Sequence, residues 1–329
     1  MPQSPIKDVI TSIELKEPWI CKLKNDFFDQ KKVQVFMLRL DEIHPVISGN
    51  KLFKLLYFLE EAKRSSHKKI ITFGGAYSNH LAATAFAARE LGLKSTGIVR
   101  GEKPETLSPT LLFCLKQGMK LEFISRESYK KTKEKGFSDP DSFWEKNKYG
   151  EHILIPEGGF SVRGKEGAAL INRYFEDENF SHVCLAVGTA TTFAGIVDAN
   201  KNQREIIGFG VLKNLNDLPE RFKELGVNLK KYSFNGDYHF GGFAKKTDEL
   251  ISFMKRFYEE NQIELDLVYT AKMMFGVYDL IQKNYFPEGA KILCIHTGGL
   301  QGNGLPALQR RVLKKFVDNL VCKNSGRIK

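Results

Sequence analysis

Much that would name a chemistry at once is missing from this sequence. Its five cysteines (Cys21, Cys114, Cys184, Cys294, Cys322) are scattered and odd in number, and no Cys-x-x-Cys pair occurs. Neither a disulfide frame nor a zinc site is indicated, and no metal ligand is assigned. No run approaches the roughly 18 apolar residues of a membrane span. The N-terminal stretch MPQSPIKDVITSIELKEPWI lacks an apolar core of signal-peptide length. A cytoplasmic protein with no membrane partner is expected. There is no internal repeat, no low-complexity segment and no evident flexible linker.

What is present is ordinary for an enzyme: 329 residues, 42% hydrophobic and 27% charged. That length suits one large domain or two closely packed ones. The net charge of +11 could serve a nucleic acid, an anionic substrate or only a solvated surface. Lysines are spread in short clusters such as Lys130–Lys131–Thr132–Lys133, and a C-terminal helix is expected to carry Arg310, Arg311, Lys314 and Lys315 against Asp318. No basic and aromatic interleaving suggests a base-stacking platform, so solvation is favoured and no nucleic-acid partner is expected.

The pattern alternates. Strands are predicted at 33–39, 69–73, 95–99 and 119–124, with helices opening near Lys51, after His80 and over 106–117. A second series starts at 152–156 and continues through a helix around 164–176, strands at 182–187 and 205–211, helices over 245–260 and 273–284, and a strand at 291–296. Ahead of the last two helices the stretch 233–243, SFNGDYHFGGF, is glycine- and aromatic-rich and irregular. The fold class is α/β, two interlocked sheets in one chain, mostly parallel and wrapped by helices.

Four loops stand where ligands bind in such sheets, beyond the carboxyl ends of strands. In the first, Lys51 follows Ser48-Gly49-Asn50, with Asn50 as the expected N-cap. A cation in the first turn of a helix is disfavoured by the macrodipole, and a lysine beside apolar neighbours is a candidate for the lowered pKa that a Schiff-base amine needs. Lys54 lies one turn on. The second loop, Gly74-Gly75-Ala76-Tyr77-Ser78-Asn79-His80, offers Ser78, Asn79 and helix N–H groups to a carboxylate. The third, Gly188-Thr189-Ala190-Thr191-Thr192, would cradle a phosphate; it closes neither as a Walker loop nor as Gly-x-Gly-x-x-Gly. The fourth is His296-Thr297-Gly298-Gly299, where Thr297 can give or take one neutral hydrogen bond. Each loop alone also reads as a helix cap, a tight turn or, for Lys51, an ordinary solvated lysine. Together they suggest a pyridoxal-phosphate enzyme acting on an amino acid.

These motifs, taken in order with Asp237-Tyr238, Val268-Tyr269-Thr270 and Phe286-Pro287-Glu288-Gly289, resemble the tryptophan-synthase-β-like (fold type II) pyridoxal-phosphate enzymes. Most closely they resemble the 1-aminocyclopropane-1-carboxylate deaminase/D-cysteine desulfhydrase family, over nearly the whole chain. The resemblance implies two interlocked three-layer α/β domains with mostly parallel twisted sheets: 1–47 with 152–329 as the large, cofactor-binding domain and 48–151 as the small, substrate-side one. It implies that Lys51 bonds pyridoxal 5'-phosphate and carries protons, that Lys54 and Gly188–Thr192 hold its phosphate, and that Asn79 meets its ring oxygen. Ser78, Asn79 and His80 would receive the carboxylate of a small amino-acid substrate, and Tyr238 and Tyr269 would flank substrate and ring. Family members are usually dimers, so a homodimer is expected.

Two positions divide the family's activities. The deaminases carry Glu after the tyrosine matched by Tyr269 and Leu at the position of Thr297; this chain has Thr270 and Thr297, as the desulfhydrases do, with both counted as cofactor contacts. His80 in place of the deaminases' glutamine points the same way. The expectation is α,β-elimination, with cyclopropane deamination as the nearest rival and a non-catalytic phosphate or nucleic-acid binder as the remote one. The loop before Gly49 is shortened, Ala76-Tyr77 replaces the usual Ile-Gln, and the usual following arginine is absent from Leu81-Ala82-Ala83.

Overall fold

The computed structural model describes residues 13–134, 149–201, 204–213, 215–227 and 231–303. The expected C-terminal helix with Arg310, Arg311, Lys314 and Lys315 lies outside the described residues.

Two sheets organise the chain. The larger contains β1 (Ile20–Lys22), β2 (Gln34–Leu38), β7 (His182–Val187), β8 (Glu205–Gly210), β9 (Ser233–Asn235) and β10 (Lys291–Ile295), in the order β1-β2-β10-β7-β8-β9. All its pairings are parallel except β1 with β2. The smaller is wholly parallel, β5-β4-β3-β6, from β3 (Lys69–Gly74), β4 (Lys94–Arg100), β5 (Lys120–Ile124) and β6 (Ile153–Ile155). Parallel strands are covered on both faces and read as apolar runs rather than alternations. Every residue of β7 is accordingly buried. One sequence reading changes: the strand at 153–155 does not begin the second sheet but adds to the first, its Ile153 to Ile155 pairing with Ile70 to Thr72. Parallel partners are chosen by crossover topology, which apolar runs do not encode.

The helices are α1 (Asp26–Gln30), α2 (Asn50–Arg64), α3 (Asn79–Glu90), α4 (Pro109–Lys116), α5 (Arg126–Glu134), α6 (Val162–Ala169), α7 (Thr191–Ala199), α8 (Leu218–Glu224), α9 (Asp248–Asn261) and α10 (Thr270–Gln282). Ser78 and Ser108 cap α3 and α4 by accepting the N–H groups of Leu81 and Leu111, both at 3.2 Å. Helices α2, α6 and α7 pack so closely that glycine is required. A Cβ on Gly167 would overlap the Phe53 carbonyl, and one on Gly195 would lie 2.5 Å from the Lys165 carbonyl oxygen. One apolar core runs through this layer from Ile70 and Ile155 of the smaller sheet to Val183, Leu185 and Leu293 of the larger. The sheets are thereby locked into one α/β body. Among the described residues no helix is long and apolar enough to cross a membrane, and no cluster of three or more His, Cys, Asp or Glu could hold a metal.

Candidate active site

The carboxyl ends of β3, β7 and β10 deliver their loops to the N-termini of α2, α3, α7 and α10. The first contact is made by backbone. Asn50 N–H donates to the Thr297 carbonyl at 3.2 Å, and Gly49 lies so close that a Cβ would overlap the same oxygen. At φ 64° and ψ −149°, Gly49 occupies a region that is essentially glycine's alone. Gly49 also takes the N-cap position expected of Asn50. The Asn50 side chain reaches α7 instead, donating to Thr192 Oγ1 at 2.9 Å and accepting from Lys51 Nζ at 2.6 Å.

Lys51 is thus the second residue of α2, its Nζ 5.8 Å from the Tyr269 ring centroid. Burial lowers its pKa to about 8, against the opposing pull of Asp266. Lys54, buried one turn further on, is pushed well below the usual lysine value by burial and then by the charge of Lys51.

In the second loop Ser78 spends its Oγ on the helix cap. Asn79 points Nδ2 at the Gly299 carbonyl, 3.5 Å away, while its Oδ1 is buried without a hydrogen-bond partner. His80 turns into the core, only 3% exposed, with Nε2 2.9 Å from Thr72 Oγ1. Because the Thr72 hydroxyl proton goes to the Ile155 carbonyl at 2.9 Å, Nε2 must be the donor, which leaves Nδ1 as a lone-pair acceptor. Burial, then the charges of Lys54 and Lys51, hold this imidazole neutral.

The third loop enters α7 through Ala190 in the left-handed region (φ 69°), with no side-chain cap on the helix N-terminus. Thr189 and Thr191 hydroxyls meet at 3.1 Å. Gly188 faces Tyr269, where a Cβ would stand 3.1 Å from the ring. The turn before α6 closes this corner: Gly158 and Gly159, both at positive φ, pack on Thr189 and on Lys54.

At the start of α10, Asp266 is fully buried. It accepts the N–H groups of Val268, Tyr269 and Thr270 at 2.9, 3.0 and 2.8 Å, and the Thr270 hydroxyl at 2.9 Å. Thr270 therefore commits its Oγ1 to Asp266. Burial, reinforced by Asp266 and Glu157, pushes the Tyr269 hydroxyl above its usual value, so it keeps its proton. Thr297 is buried, its carbonyl given to Asn50.

Tyr238 stands apart from this group. Its hydroxyl donates to Asp279 Oδ2 at 2.5 Å, in the third turn of α10, and its ring packs on Phe209. The residue of that stretch that reaches Tyr269 is Phe243, ring centroids 6.4 Å apart at 74°.

Comparisons with known proteins identify the family. The family described as pyridoxal-phosphate dependent enzyme matches residues 23–298. The chain belongs to that family. This pyridoxal-phosphate enzyme is 30% identical over 297 residues to a Thermotoga maritima protein provisionally named 1-aminocyclopropane-1-carboxylate deaminase, covering 85% of this chain and 92% of the relative. An Arabidopsis thaliana protein named bifunctional D-cysteine desulfhydrase/1-aminocyclopropane-1-carboxylate deaminase, mitochondrial, is 29% identical over 285 residues, 78% of this chain and 70% of that one. A crystal structure described as an ACC deaminase homologue superposes with a TM-score of 0.72 at 28% identity, covering 92% of this chain and 96% of the other. Threonine deaminase isoform 2 from Solanum lycopersicum, at 13% identity and TM-score 0.59 over 96% and 89% of the two chains, shares the fold.

The residues present fit the cofactor. Two neighbouring lysine side chains whose charges repel one another need an anion, and an uncapped helix N-terminus beside them offers N–H donors for a phosphate. The Asn79 amide nitrogen, held only by a long 3.5 Å contact to the Gly299 carbonyl, is a donor that suits a ring oxygen. The site also contains residues that sequence reasoning missed. Asp266 carried a usable signal, an acidic residue just before a helix start; Gly158, Gly159 and Phe243 carried none beyond their turn composition.

Proposed function

We propose that the enzyme is a deaminating lyase of the D-cysteine desulfhydrase type, performing α,β-elimination on a small amino acid to give a 2-oxo acid, ammonia and, from D-cysteine, sulfide. The observation that carries this reading is Thr270. A neutral hydroxyl follows Tyr269 where the deaminases carry a carboxylate, and the nearby Asp266 carboxylate is saturated by four hydrogen bonds from its own turn.

When bound, pyridoxal phosphate supplies an electron sink for charge developing at the substrate's Cα. Without an acid at its ring nitrogen that sink is modest, which suffices for a substrate with an α-proton and a thiolate leaving group. The chain's own residues then have distinct roles. Lys51 Nζ, lowered to about 8, is a free amine in part of the molecules near neutral pH and increasingly so above it, and in that form it accepts a proton. Lys54 and the Gly188–Thr192 loop hold the phosphate. Ser78, Asn79 and the N-terminus of α3 receive the substrate carboxylate, His80 supporting them as a neutral group from behind. Tyr269 covers the Lys51 side. On this reading the smaller sheet carries the substrate side and the larger the cofactor side, in a homodimer.

The rival reading is ring-opening deamination of 1-aminocyclopropane-1-carboxylate to 2-oxobutyrate and ammonia, supported by the names of the relatives. Incubation with each amino acid separately, with assay of 2-oxo acid and sulfide, tests the choice. D-cysteine should turn over; turnover of the cyclopropane alone would overturn the proposal.

A further inference from the structure

The stretch 238–243 is clasped by one face of α10. Lys272, Phe275 and Asp279, spaced three and four residues apart, point at it in sequence along the helix. Asp279 takes the Tyr238 hydroxyl, and Phe275 meets Phe240 edge-on at 5.0 Å. Lys272, nearest the helix start and so nearest Tyr269, donates Nζ to the carbonyls of His239 at 2.8 Å and Gly242 at 2.6 Å. Between those carbonyls the backbone passes through the left-handed region three times running, at Phe240 (φ 51°), Gly241 (φ 87°) and Gly242 (φ 116°). Backbone bonds shape this turn: Gly242 N–H donates to His239 O, Lys245 N–H to Gly242 O, and Gly241 N–H to His239 Nδ1. Lys272 ties its active-site end to α10.

That tie is unusual in kind. The whole Lys272 side chain is at 0% exposure, and a buried ammonium is costly unless its donors are met. Burial draws its pKa down to about 8, while Asp266, the charged group facing it from the loop before α10, pulls it up. Immediately after the second carbonyl comes Phe243, 53% exposed on its open side and edge-on to Tyr269.

We propose that Lys272 is a positioning residue that fixes the Phe240–Gly242 turn so that Phe243 stands against Tyr269, and that Phe243 is the wall limiting the size of the substrate's side chain. The proposal rests on the reading of Lys51 and Tyr269 as the reaction centre. It gives the irregular glycine-rich stretch a purpose, as a short turn, aimed by a buried cation, that narrows the entrance.

Lys272→Met keeps the length of the side chain and removes its donors. Phe275 and Asp279 still hold the remainder of the stretch, so the loss should be local. In the cofactor-loaded protein, amide exchange over 239–244 should accelerate about tenfold, as expected for losing about 1.4 kcal/mol of charge-assisted bonding, with the Tyr238 amide unaffected. KM for D-cysteine should rise about tenfold, with kcat changed far less. Phe243→Ala should raise kcat/KM for bulkier amino acids relative to D-cysteine. Combined, the two substitutions should cost no more than the larger single effect, because Lys272 acts through Phe243. Multiplying effects, or unchanged exchange over 239–244, would overturn the positioning role; an unaltered size preference in Phe243→Ala would overturn the wall. Should Lys272→Met fail to fold, Lys272→Gln, whose shorter neutral side chain keeps a donor one bond back from the Nζ position, should still accelerate exchange over 239–244, and exchange equal to wild type would refute the tie. If the native enzyme turns over neither amino acid, the proposed function fails, while the exchange result still judges the tie.

Discussion

Lys51 and Lys272 lie near the starts of their helices, and the same two influences set their charge: burial lowers each to about 8 and Asp266 opposes it. Their surroundings differ completely. Lys272 Nζ is spent on two carbonyls inside the fold. Lys51 has one side-chain partner, Asn50, which itself bonds Thr192 at the uncapped start of α7, and otherwise lies against an aromatic ring. A displaced pKa therefore marks both the lysine proposed for chemistry and the one proposed to hold the backbone. What separates them is unspent hydrogen-bonding capacity beside groups that need an anion.

The comparison breaks most visibly by substitution. Lys51→Ala should lower the rate of 2-oxo acid formation by at least about 10³-fold, as removal of a positioned proton carrier does. Lys272→Met should leave kcat nearly intact. Comparable kcat losses from the two would erase the distinction drawn between them.

A second test removes what they share. Asp266→Asn takes away a negative charge that favours both ammonium forms, so both pKa values should fall below about 8. In the cofactor-free protein, acylation of Lys51 by an amine-selective reagent, followed by peptide mass spectrometry across pH, should show its midpoint moving down. Asparagine also offers one carbonyl oxygen where both carboxylate oxygens now accept, a loss of about 1 kcal/mol, which a thermal melt should register as a drop of about one to two degrees. A melt that drops while the acylation midpoint stays at about 8 would leave Asp266 as a cap only.

A third effect is in stability against pH. Lys272 titrates at about 8 in the fold and at roughly 10.4 when unfolded. Between those values the unfolded chain binds more protons, so stability rises with pH across the window. Denaturant titrations at pH 8 and pH 10 should show a smaller rise in Lys272→Met than in the native protein.

How much of this was legible in the sequence follows from the forces involved. Buried parallel strands such as His182–Val187 and Lys291–Ile295 announce themselves as apolar runs, and Ser78 announced its cap. The loops between them could be located because a strand, a glycine turn and a helix start succeed one another in the chain. Contacts between loops could not be. Asn50 looks like a cap until Thr192, 142 residues away, claims its amide. Nothing local shows that Tyr238 gives its hydroxyl to Asp279 of α10 while Phe243 meets the Tyr269 ring. Asp266 could be placed as an acid before a helix start, but its burial and that of Lys272 could not, since nothing local in a sequence tells a buried ion from a solvated one. The place of β6 beside β3 was equally invisible, being a matter of crossover rather than composition.

The glycine contacts among α2, α6 and α7 bear on how such an enzyme admits its substrate. With Gly167 against Phe53 and Gly195 against Lys165, the helix bearing Lys51 and the helix beneath the proposed phosphate cradle are coupled through α6 with no slack. A single methyl wedged into either glycine contact should therefore shift the lysine that the substrate must meet rather than be absorbed as local disorder.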